Sequence, residues 1–276
     1  MDPPRSPQRD SKNFDTATDA SPRSSPGVEY TVPDVATAKC QSQAGYPFMA
    51  NSPYQLKSDP YSSHSVILSY LGAGQGRRVL DVGAAHGYLA ELLTARGFEV
   101  TALEGDPSLA AIARTKCAAL HLADLDAPLP QLDGRFDVII YGDVLEHLKN
   151  PLRVLQTLNE HLNSGGIVIV SVPNVAHLWI RLQLLFGKFD YADRGILDRT
   201  HLRFFTLASF RQFLHDAGLH IVRLLPTPVP LPLVVPERFQ GRIFQALHAL
   251  NAAAARACKS LLAYQFVAVA QKREAR

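Results

Sequence analysis

The stretch from Val79 to Leu89 reads VLDVGAAHGYL and decides the fold. A short apolar run ends at Val82, and glycines at positions 83 and 87 frame the turn that follows. Glycine has no side chain, so a ligand can lie directly against the backbone of such a turn. The intervening Ala84-Ala85-His86 departs from the GxGxxG pattern of dinucleotide-binding turns, and neither a lysine nor a phosphate cradle follows. The stretch predicts a strand, a ligand-binding turn and a helix.

Strands and helices alternate after this turn, as the spacing of apolar residues indicates. Strands are predicted at 78–83, 99–104, 118–123, 136–141 and 166–172, with helices at 87–96, 107–116 and 151–162 between them. Asn150 and Pro151 supply a cap and a first helical proline for the third of these helices. Short apolar strands alternating with helices indicate a parallel sheet covered on both faces. Ligands of such sheets bind beyond the carboxyl ends of the strands.

Acidic residues follow the next three strands. Glu104 ends the second strand, and its acceptor-only carboxylate suits the two hydroxyls of a ribose. Asp124 follows the third strand, where it can accept a hydrogen bond from an exocyclic amine while Leu125 packs on a purine face. Asp143 follows the fourth strand. A role as a helix cap is the alternative for such acids, and it fits Asp106 better than Glu104.

This order of motifs resembles the class I S-adenosylmethionine-dependent methyltransferases over roughly residues 54–225. The resemblance implies an α/β fold with a doubly wound, seven-stranded, mostly parallel Rossmann-like sheet and a lid insertion before the last helices. It also implies S-adenosyl-L-methionine as cofactor, with its amino-acid part at the glycine turn, its ribose at Glu104 and its adenine amine at Asp124. The implied cofactor-binding residues are Asp81, Gly83, Ala85, Gly87, Glu104, Asp124, Leu125 and Asp143. Family members more often have glycine where this chain has Ala85, so its methyl group is expected to crowd the cofactor slightly.

The function predicted from this resemblance is O-methylation of a small-molecule or glycan-related substrate. Asp143 with the Glu146-His147 pair resembles the branch that includes ubiquinone-biosynthesis and other small-molecule O-methyltransferases. Two other functions fit a similar sheet. One is an NAD(P)-dependent oxidoreductase, against which the missing GxGxxG speaks. The other is a catalytically silent cofactor-binding module.

Three histidines are candidate general bases, because imidazole titrates near neutral pH. They are His147 after the fourth strand, His177 after the fifth, and His201 in the long connection 174–206. This connection is too long for an ordinary strand-to-helix link and is predicted to form a lid or substrate-binding insertion. Its sequence resembles bacterial methyltransferases often found beside surface-polysaccharide glycosyltransferases, which implies a sugar or nucleotide-sugar substrate. Within it, Arg199 and Arg203 either form ion pairs or contact an anionic group.

The two ends of the chain differ in character. Residues 1–45 are rich in serine, proline and small polar residues, so they predict a disordered tail ahead of a methyltransferase domain at 46–276. Near the other end, a helix is predicted at 209–217 and strands at 220–225 and 264–270. Between those strands, 226–262 combines a proline-rich segment with a basic helix at 237–262. That helix either packs over the substrate pocket or makes peripheral contact with an anionic membrane.

The composition limits the remaining functions. The formal net charge of +3 and pI of about 8.8 come without a lysine and arginine block, so no nucleic-acid partner is expected. The three cysteines Cys40, Cys117 and Cys258 form no zinc pattern, so no metal site is predicted and a reducing compartment is favoured. Neither a signal peptide nor a membrane span is evident. The expected location is the cytoplasm, and the expected partner is the substrate.

Overall fold

The computed structural model describes residues 59–273, so the predicted tail at 1–45 lies outside the described residues. Within the described range the chain forms seven strands and eight α-helices. The strands are β1 (Arg78–Val82), β2 (Glu99–Glu104), β3 (Ala119–Leu122), β4 (Phe136–Gly142), β5 (Leu162–Pro173), β6 (Leu219–Thr227) and β7 (Gln265–Lys272). The helices are α1 (Ser63–Leu71), α2 (Tyr88–Thr94), α3 (Pro107–Ala113), α4 (Pro151–Asn159), α5 (Leu178–Leu185), α6 (Leu207–Asp216), α7 (Arg242–Ala257) and α8 (Lys259–Leu262).

The strands form one sheet in the order β3-β2-β1-β4-β5-β7-β6. Strand β7 runs antiparallel to both of its neighbours, and the other adjacent pairs are parallel. In the centre, Leu80 of β1 pairs with Thr101 of β2 on one side and with Ile139 of β4 on the other. The predicted doubly wound, mostly parallel, seven-stranded sheet is confirmed. Because the strand order reverses between β1 and β4, the ligand crevice is expected beyond the carboxyl ends of these strands.

Apolar clusters cover both faces of the sheet. Successive strand residues point to opposite faces, so the neighbours Val79 and Leu80 belong to different clusters. Leu80 packs in the cluster that includes Leu155 of α4 and Phe210 of α6, whereas Val79 packs in the one that includes Leu93 of α2. Burial of both faces is the physical reason for the continuous apolar runs in the central strands.

The end of α4 and the start of β5 differ from the prediction. The predicted helix ran to residue 162, but α4 ends at Asn159, and Leu162 begins β5 by pairing with Phe136. Leu158 and Leu162 nevertheless pack in the same core cluster. Leu162 follows Leu158 by four residues, which is the spacing of one face of a helix. Buried leucines at this spacing can also belong to a helix and to the strand after it, so the pattern does not show where the helix ends. The predicted cap is confirmed, since Asn150 Oδ1 accepts the N–H of Arg153 at 3.3 Å.

The helix predicted at 237–262 is wrong as a continuous element. A single turn of 3-10 helix at Glu237–Phe239 precedes α7, and Cys258, with φ −125° and ψ 70°, separates α7 from α8. The proline-rich segment starts inside β6, where Pro226 pairs with Phe266. Strand β6 lies at the sheet edge, and a missing backbone donor is tolerated there. None of the helices in the described range has the length and apolar character needed to cross a membrane.

Residues 174–206, predicted from the sequence to form a lid and called the lid below, form a connection whose two ends meet and which contains α5. Its two ends meet, because Asn174 forms a parallel bridge with Phe205 and the N–H of Val175 donates to the Phe205 carbonyl at 2.9 Å. The buried Asn174 amide donates to the carbonyl oxygen of Ala263 at 2.8 Å, just before β7. The lid is therefore anchored at the carboxyl edge of the sheet.

Candidate active site

The turn between β1 and α2 has the backbone conformation that its glycines predict. Gly83 and Gly87 have φ angles of 75° and 72°, in the left-handed region that favours glycine. Ala85 lies there too, with φ 48°, which costs a residue with a Cβ roughly 1–2 kcal/mol. The N–H groups of Gly83 and Ala84 both donate to the Leu103 carbonyl, at 2.9 and 3.0 Å. The turn is thus tied to β2, whose last residue is Glu104.

The Glu104 carboxylate lies directly against this turn. Its Oε2 accepts the N–H of Ala85 at 2.7 Å, and its Oε1 accepts the N–H of Asp106 at 2.8 Å. The residue is 9% exposed. A carboxylate offers about four acceptor positions, so these two bonds leave capacity for hydroxyl groups of a ligand. The bond from Ala85 also helps to hold the alanine in its left-handed conformation.

Asp81 lies on β1, two residues before the turn, and is 3% exposed. Its Oδ2 is buried and has no hydrogen-bond partner within residues 59–273. Burial, with a smaller contribution from the charge of Glu104, raises the pKa of the Asp81 carboxyl to about 7. An unsatisfied buried acceptor costs free energy. A ligand that offers a cation or a hydrogen-bond donor fits this position.

The end of β3 is more open. Asp124 is exposed, and its Oδ1 accepts the N–H of Asp126 at 2.9 Å. Leu125 is buried in the same core cluster as Leu80 and Leu103. Asp124 is therefore accessible to a ligand, whereas most of the Leu125 side chain packs against protein.

Asp143 follows β4 and connects three elements. Its carboxylate accepts hydrogen bonds from the hydroxyls of Ser63 in α1, at 3.1 Å, and Ser171 in β5, at 2.5 Å. Its N–H donates to the Ser171 hydroxyl at 2.9 Å. These contacts hold Asp143 in a left-handed conformation, with φ 56°, which is uncommon for a residue other than glycine. Asp143 thereby links α1 to the strand ends that form the crevice.

Glu146, His147 and His201 form a cluster just beyond β4, where the lid returns to the sheet. The rings of His147 and His201 lie 4.8 Å apart at 69°, and His201 Nε2 is 4.0 Å from Glu146 Oε1. The N–H groups of Leu202 and Arg203 donate to the Glu146 carbonyl at 2.8 and 3.0 Å, so backbone bonds fix this part of the lid. Burial lowers the pKa of the His201 imidazole. Two of the three histidines predicted from the sequence are brought together here.

His177 has a different environment. Its Nδ1 accepts the N–H of Trp179 at 3.2 Å and so caps the start of α5. Its ring lies 6.3 Å from that of Tyr264 in an edge-on arrangement, and burial lowers its pKa. The observed contacts give His177 a structural function, and its role as a base stays a prediction.

Comparison with known proteins decides the family. A family model described as a methyltransferase domain matches residues 61–224, which is more than half of the chain. The chain belongs to this methyltransferase family. It is an S-adenosylmethionine-dependent enzyme, and the oxidoreductase alternative is thereby excluded. Asp81 has a buried carboxylate oxygen without a partner in the described residues, and Glu104 keeps acceptor capacity beside the glycine turn.

The methyltransferase is similar to curated ubiquinone biosynthesis O-methyltransferases. The protein from Xylella fastidiosa (strain M23) is 30% identical over 183 residues, covering 63% of this chain and 70% of the relative. The protein from Alkalilimnicola ehrlichii is 33% identical over 116 residues, covering 38% and 44%.

Solved structures support the same fold. Magnesium protoporphyrin IX methyltransferase from Synechocystis PCC 6803, with bound SAH, has a TM-score of 0.52 at 16% identity, covering 77% of this chain and 83% of that one. A S-adenosylmethionine-dependent methyltransferase from Mesorhizobium loti has a TM-score of 0.51 at 18% identity, covering 77% and 98%. At these identities the likeness establishes the fold, and the predicted Rossmann-like methyltransferase architecture is confirmed.

Two further residues lie beside the candidate histidines without having been predicted, since Thr200 contacts His147 and Tyr264 lies next to His177. Thr200 Oγ1 lies 3.1 Å from His147 Nδ1 and donates to Asp198 Oδ1 at 2.7 Å. Burial raises the pKa of the Tyr264 phenol to about 12, so this hydroxyl stays protonated at neutral pH. Thr200 could have been found as the neighbour of His201 in the sequence. Tyr264 gave no such signal, since it lies just before β7 and is brought next to His177 by long-range backbone bonds with Asn174 and Thr227.

The lid arginines have protein partners in the methyltransferase. Arg199 Nη2 is 2.6 Å from Asp193 Oδ1, so this residue forms the ion pair that was one of its two predicted alternatives. Arg203 Nη2 donates to the Lys149 carbonyl at 2.5 Å and ties the lid to the segment after β4. Contact of either arginine with an anionic substrate stays a prediction.

Replacing Asp81 with Asn is expected to stabilise the ligand-free methyltransferase and to weaken its binding of S-adenosylhomocysteine. Asp81 has a raised pKa in the folded state, so its contribution to stability falls as pH rises from about 4 to about 7. Above about pH 7, the stability lost through ionisation of Asp81 is on the order of 4 kcal/mol. The neutral amide removes this loss and also removes the negative charge available to a ligand ammonium.

The measurement is urea unfolding at pH 5 and pH 8, combined with calorimetric titration of S-adenosylhomocysteine. The stability gain of Asp81→Asn should be larger at pH 8. The exposed Asp133→Asn is the control and should change neither property. A stability difference that does not depend on pH would contradict the assignment.

Proposed function

We propose that this methyltransferase methylates a hydroxyl oxygen of a small-molecule acceptor. The observation that carries the proposal is the cluster of Glu146, His147 and His201 at the end of β4, on the same sheet edge as the glycine turn. S-adenosylmethionine supplies an electrophilic methyl group on a sulfonium when bound. The acceptor oxygen forms the new bond to carbon, the carbon–sulfur bond breaks, S-adenosylhomocysteine leaves and the hydroxyl proton is released.

We assign cofactor binding to the edge formed by β1, β2 and β3. Asp81 and the turn with Gly83, Ala85 and Gly87 would hold the amino-acid part, and Glu104 would accept hydrogen bonds from the ribose. Asp124 would accept from the adenine amine, with the small exposed part of Leu125 beside the ring. Asp143 would complete the site next to the transferring methyl group. These residues are the ones that the sequence predicted, and the bonds of Glu104 and the buried Asp81 support the proposal.

On the acceptor side, the reaction needs alignment of the hydroxyl and removal of its proton. We place both at the cluster of Glu146, His147 and His201, with His147 or His201 taking the proton. The lid would cover this position, and the bonds from its backbone to the Glu146 carbonyl oxygen support this role. Exclusion of water would protect the sulfonium from hydrolysis.

The class of acceptor is the finer part of the proposal. The O-methyltransferases named among the relatives support an oxygen acceptor. The resemblance to methyltransferases of surface-polysaccharide synthesis, predicted from the sequence of residues 174–206, supports a sugar. We therefore favour a sugar hydroxyl, on a nucleotide sugar or a glycan, over a phenol. The cytoplasmic location and peripheral contact of residues 226–262 with a membrane stay predictions.

The test is transfer of a labelled methyl group from S-adenosylmethionine to panels of nucleotide sugars, glycan acceptors and phenols. Labelled product is expected in the sugar panel, with the methyl group on oxygen. His201→Gln should reduce turnover by roughly 100-fold or more, which is the lower end of the rate contribution of a general base. Its affinity for S-adenosylhomocysteine should be retained.

The exposed His220→Gln on β6 is the matched control and should leave turnover unchanged. Failure to bind S-adenosylhomocysteine would refute the cofactor assignment. Tight cofactor binding with no methylated acceptor would favour the silent binding module instead. Product formed only from phenols would overturn the preference for sugars.

A further inference from the structure

We propose that Glu146, His147 and His201 bind a divalent transition-metal ion where the lid meets the end of β4. One potential ligand atom from each residue lies within 4.8 Å of the others. Two imidazole nitrogens and one carboxylate oxygen suit Zn²⁺, Co²⁺, Mn²⁺ or Fe²⁺, and such a set leaves coordination positions open. The closing of these three atoms around an ion requires only small side-chain movements, since ligands about 2.1 Å from a metal are themselves about 3–4 Å apart.

The hydrogen bonds of His201 prepare one nitrogen for a metal. Its Nδ1 lies 3.1 Å from the carbonyl oxygen of Ile196, which can only accept, so Nδ1 carries the proton. The lone pair is then on Nε2, the atom that is 4.0 Å from Glu146 Oε1. A histidine ligand whose other nitrogen donates to a backbone carbonyl is the usual arrangement in metal sites.

The contacts of His147 have the same form. Its Nδ1 lies 3.3 Å from the Thr200 carbonyl and 3.1 Å from the Thr200 hydroxyl. Since that hydroxyl donates its own proton to Asp198, it accepts from His147. The lone pair of His147 is therefore on Nε2 as well. Both lid contacts come from Thr200, which directly precedes His201, so one short segment supplies a ligand and orients a second.

Glu146 is suited to the charge of a cation. Its side chain is 1% exposed and that of His201 is 6% exposed. A buried carboxylate next to two imidazoles has a large desolvation cost, which a bound cation offsets. The site is fixed from two sides, because Glu146 lies in a turn of 3-10 helix shortly after β4 while the lid backbone donates to its carbonyl oxygen.

The use of this metal in catalysis rests on the proposed function. An acceptor hydroxyl that occupies an open position would lose its proton more readily and would be held in a fixed direction. Acceptors with two adjacent oxygens, such as a sugar diol, could fill two open positions. In that case the two histidines hold the ion, and the proton leaves to solvent.

The experiment is titration of Co²⁺ into the full chain, stripped with a chelator and free of any affinity tag that contains histidine. Visible absorption of bound Co²⁺ reports binding and coordination, and Zn²⁺ should displace it. Saturation at one ion per chain is expected. His201→Ala and Glu146→Gln should each weaken Co²⁺ binding by more than about 100-fold, and Thr200→Val by about 10–100-fold, as for loss of a partner that orients a ligand.

The exposed His220→Ala is the control and should bind Co²⁺ as the unaltered chain does. Because Glu146 is buried, circular dichroism must show that its variant is folded, and Thr200→Val at the exposed end of the lid gives a second route. Folded protein that binds no Co²⁺, or binds it equally in all variants, would overturn the proposal. Metal binding without methyl transfer would contradict only the proposed function, and methyl transfer without metal binding only this inference.

Discussion

Replacing Glu104 with Ala is expected to weaken binding of S-adenosylhomocysteine by roughly 10-fold to 150-fold, which corresponds to the 1.5–3 kcal/mol of a hydrogen bond to a charged group. The carboxylate is the proposed acceptor for the ribose, and it also accepts the N–H groups of Ala85 and Asp106 at 2.7 and 2.8 Å. Its removal would therefore lose a ligand contact and release the left-handed Ala85. Calorimetric titration gives the affinity, and urea unfolding gives the stability of the ligand-free protein.

Two control variants separate these effects. Glu99→Ala, at the exposed start of the same strand, should leave cofactor affinity unchanged. The second is the double variant that carries both Glu104→Ala and Ala85→Gly. Compared with Glu104→Ala alone, it should recover stability but not cofactor affinity, because glycine adopts the left-handed conformation without support. Unchanged affinity in Glu104→Ala would refute the assignment of Glu104 to the ribose.

Replacing Gly87 with Ala is expected to lower the free energy of unfolding by several kcal/mol and to abolish cofactor binding at ordinary concentrations. A Cβ at this position would lie 2.9 Å from the Cα of Ala113 and 3.1 Å from its Cβ. The left-handed φ of 72° adds about 1–2 kcal/mol, and overpacking against a backbone atom typically costs a further 1–3 kcal/mol. Relief of the contact would move the start of α2 away from α3 and distort the turn.

Gly76→Ala is the matched control for this prediction. Gly76 has a φ of 75°, nearly that of Gly87, but an added Cβ would meet no atom within 4 Å. It should therefore show the conformational cost alone and retain cofactor affinity. Equal destabilisation by both variants would mean that the contact with Ala113 contributes nothing.

The architecture could be predicted from the sequence because it depends on local patterns. Val79–Val82 is short and continuously apolar, as burial on both faces of a sheet requires, and Gly83 and Gly87 occur where the backbone needs positive φ. In a parallel sheet all carboxyl ends lie at one edge, so Glu104, Asp124 and Asp143 could be placed in one crevice before any coordinates were considered.

Element boundaries were less predictable. Leu162 continues the leucine stripe of α4 in the sequence but belongs to β5, where it pairs with Phe136. In the strand its side chain is buried in the same core cluster as the leucines of α4. The break at Cys258 between α7 and α8 has no proline or glycine to mark it. Local periodicity reports which side chains are buried, and tertiary pairing decides the element that buries them.

By itself, the sequence predicted the central strands and the glycine turn, because short local patterns specify each of them. The order of these motifs along the chain, through its resemblance to a known family, implied the cofactor. Only the tertiary structure decided that His201 adjoins Glu146 and His147 whereas His177 caps α5. His147 and His201 are far apart in the chain and meet because the lid closes on itself at Asn174 and Phe205 and its backbone bonds to Glu146. No local pattern encodes such long-range contacts, since they depend on the path of the chain between them.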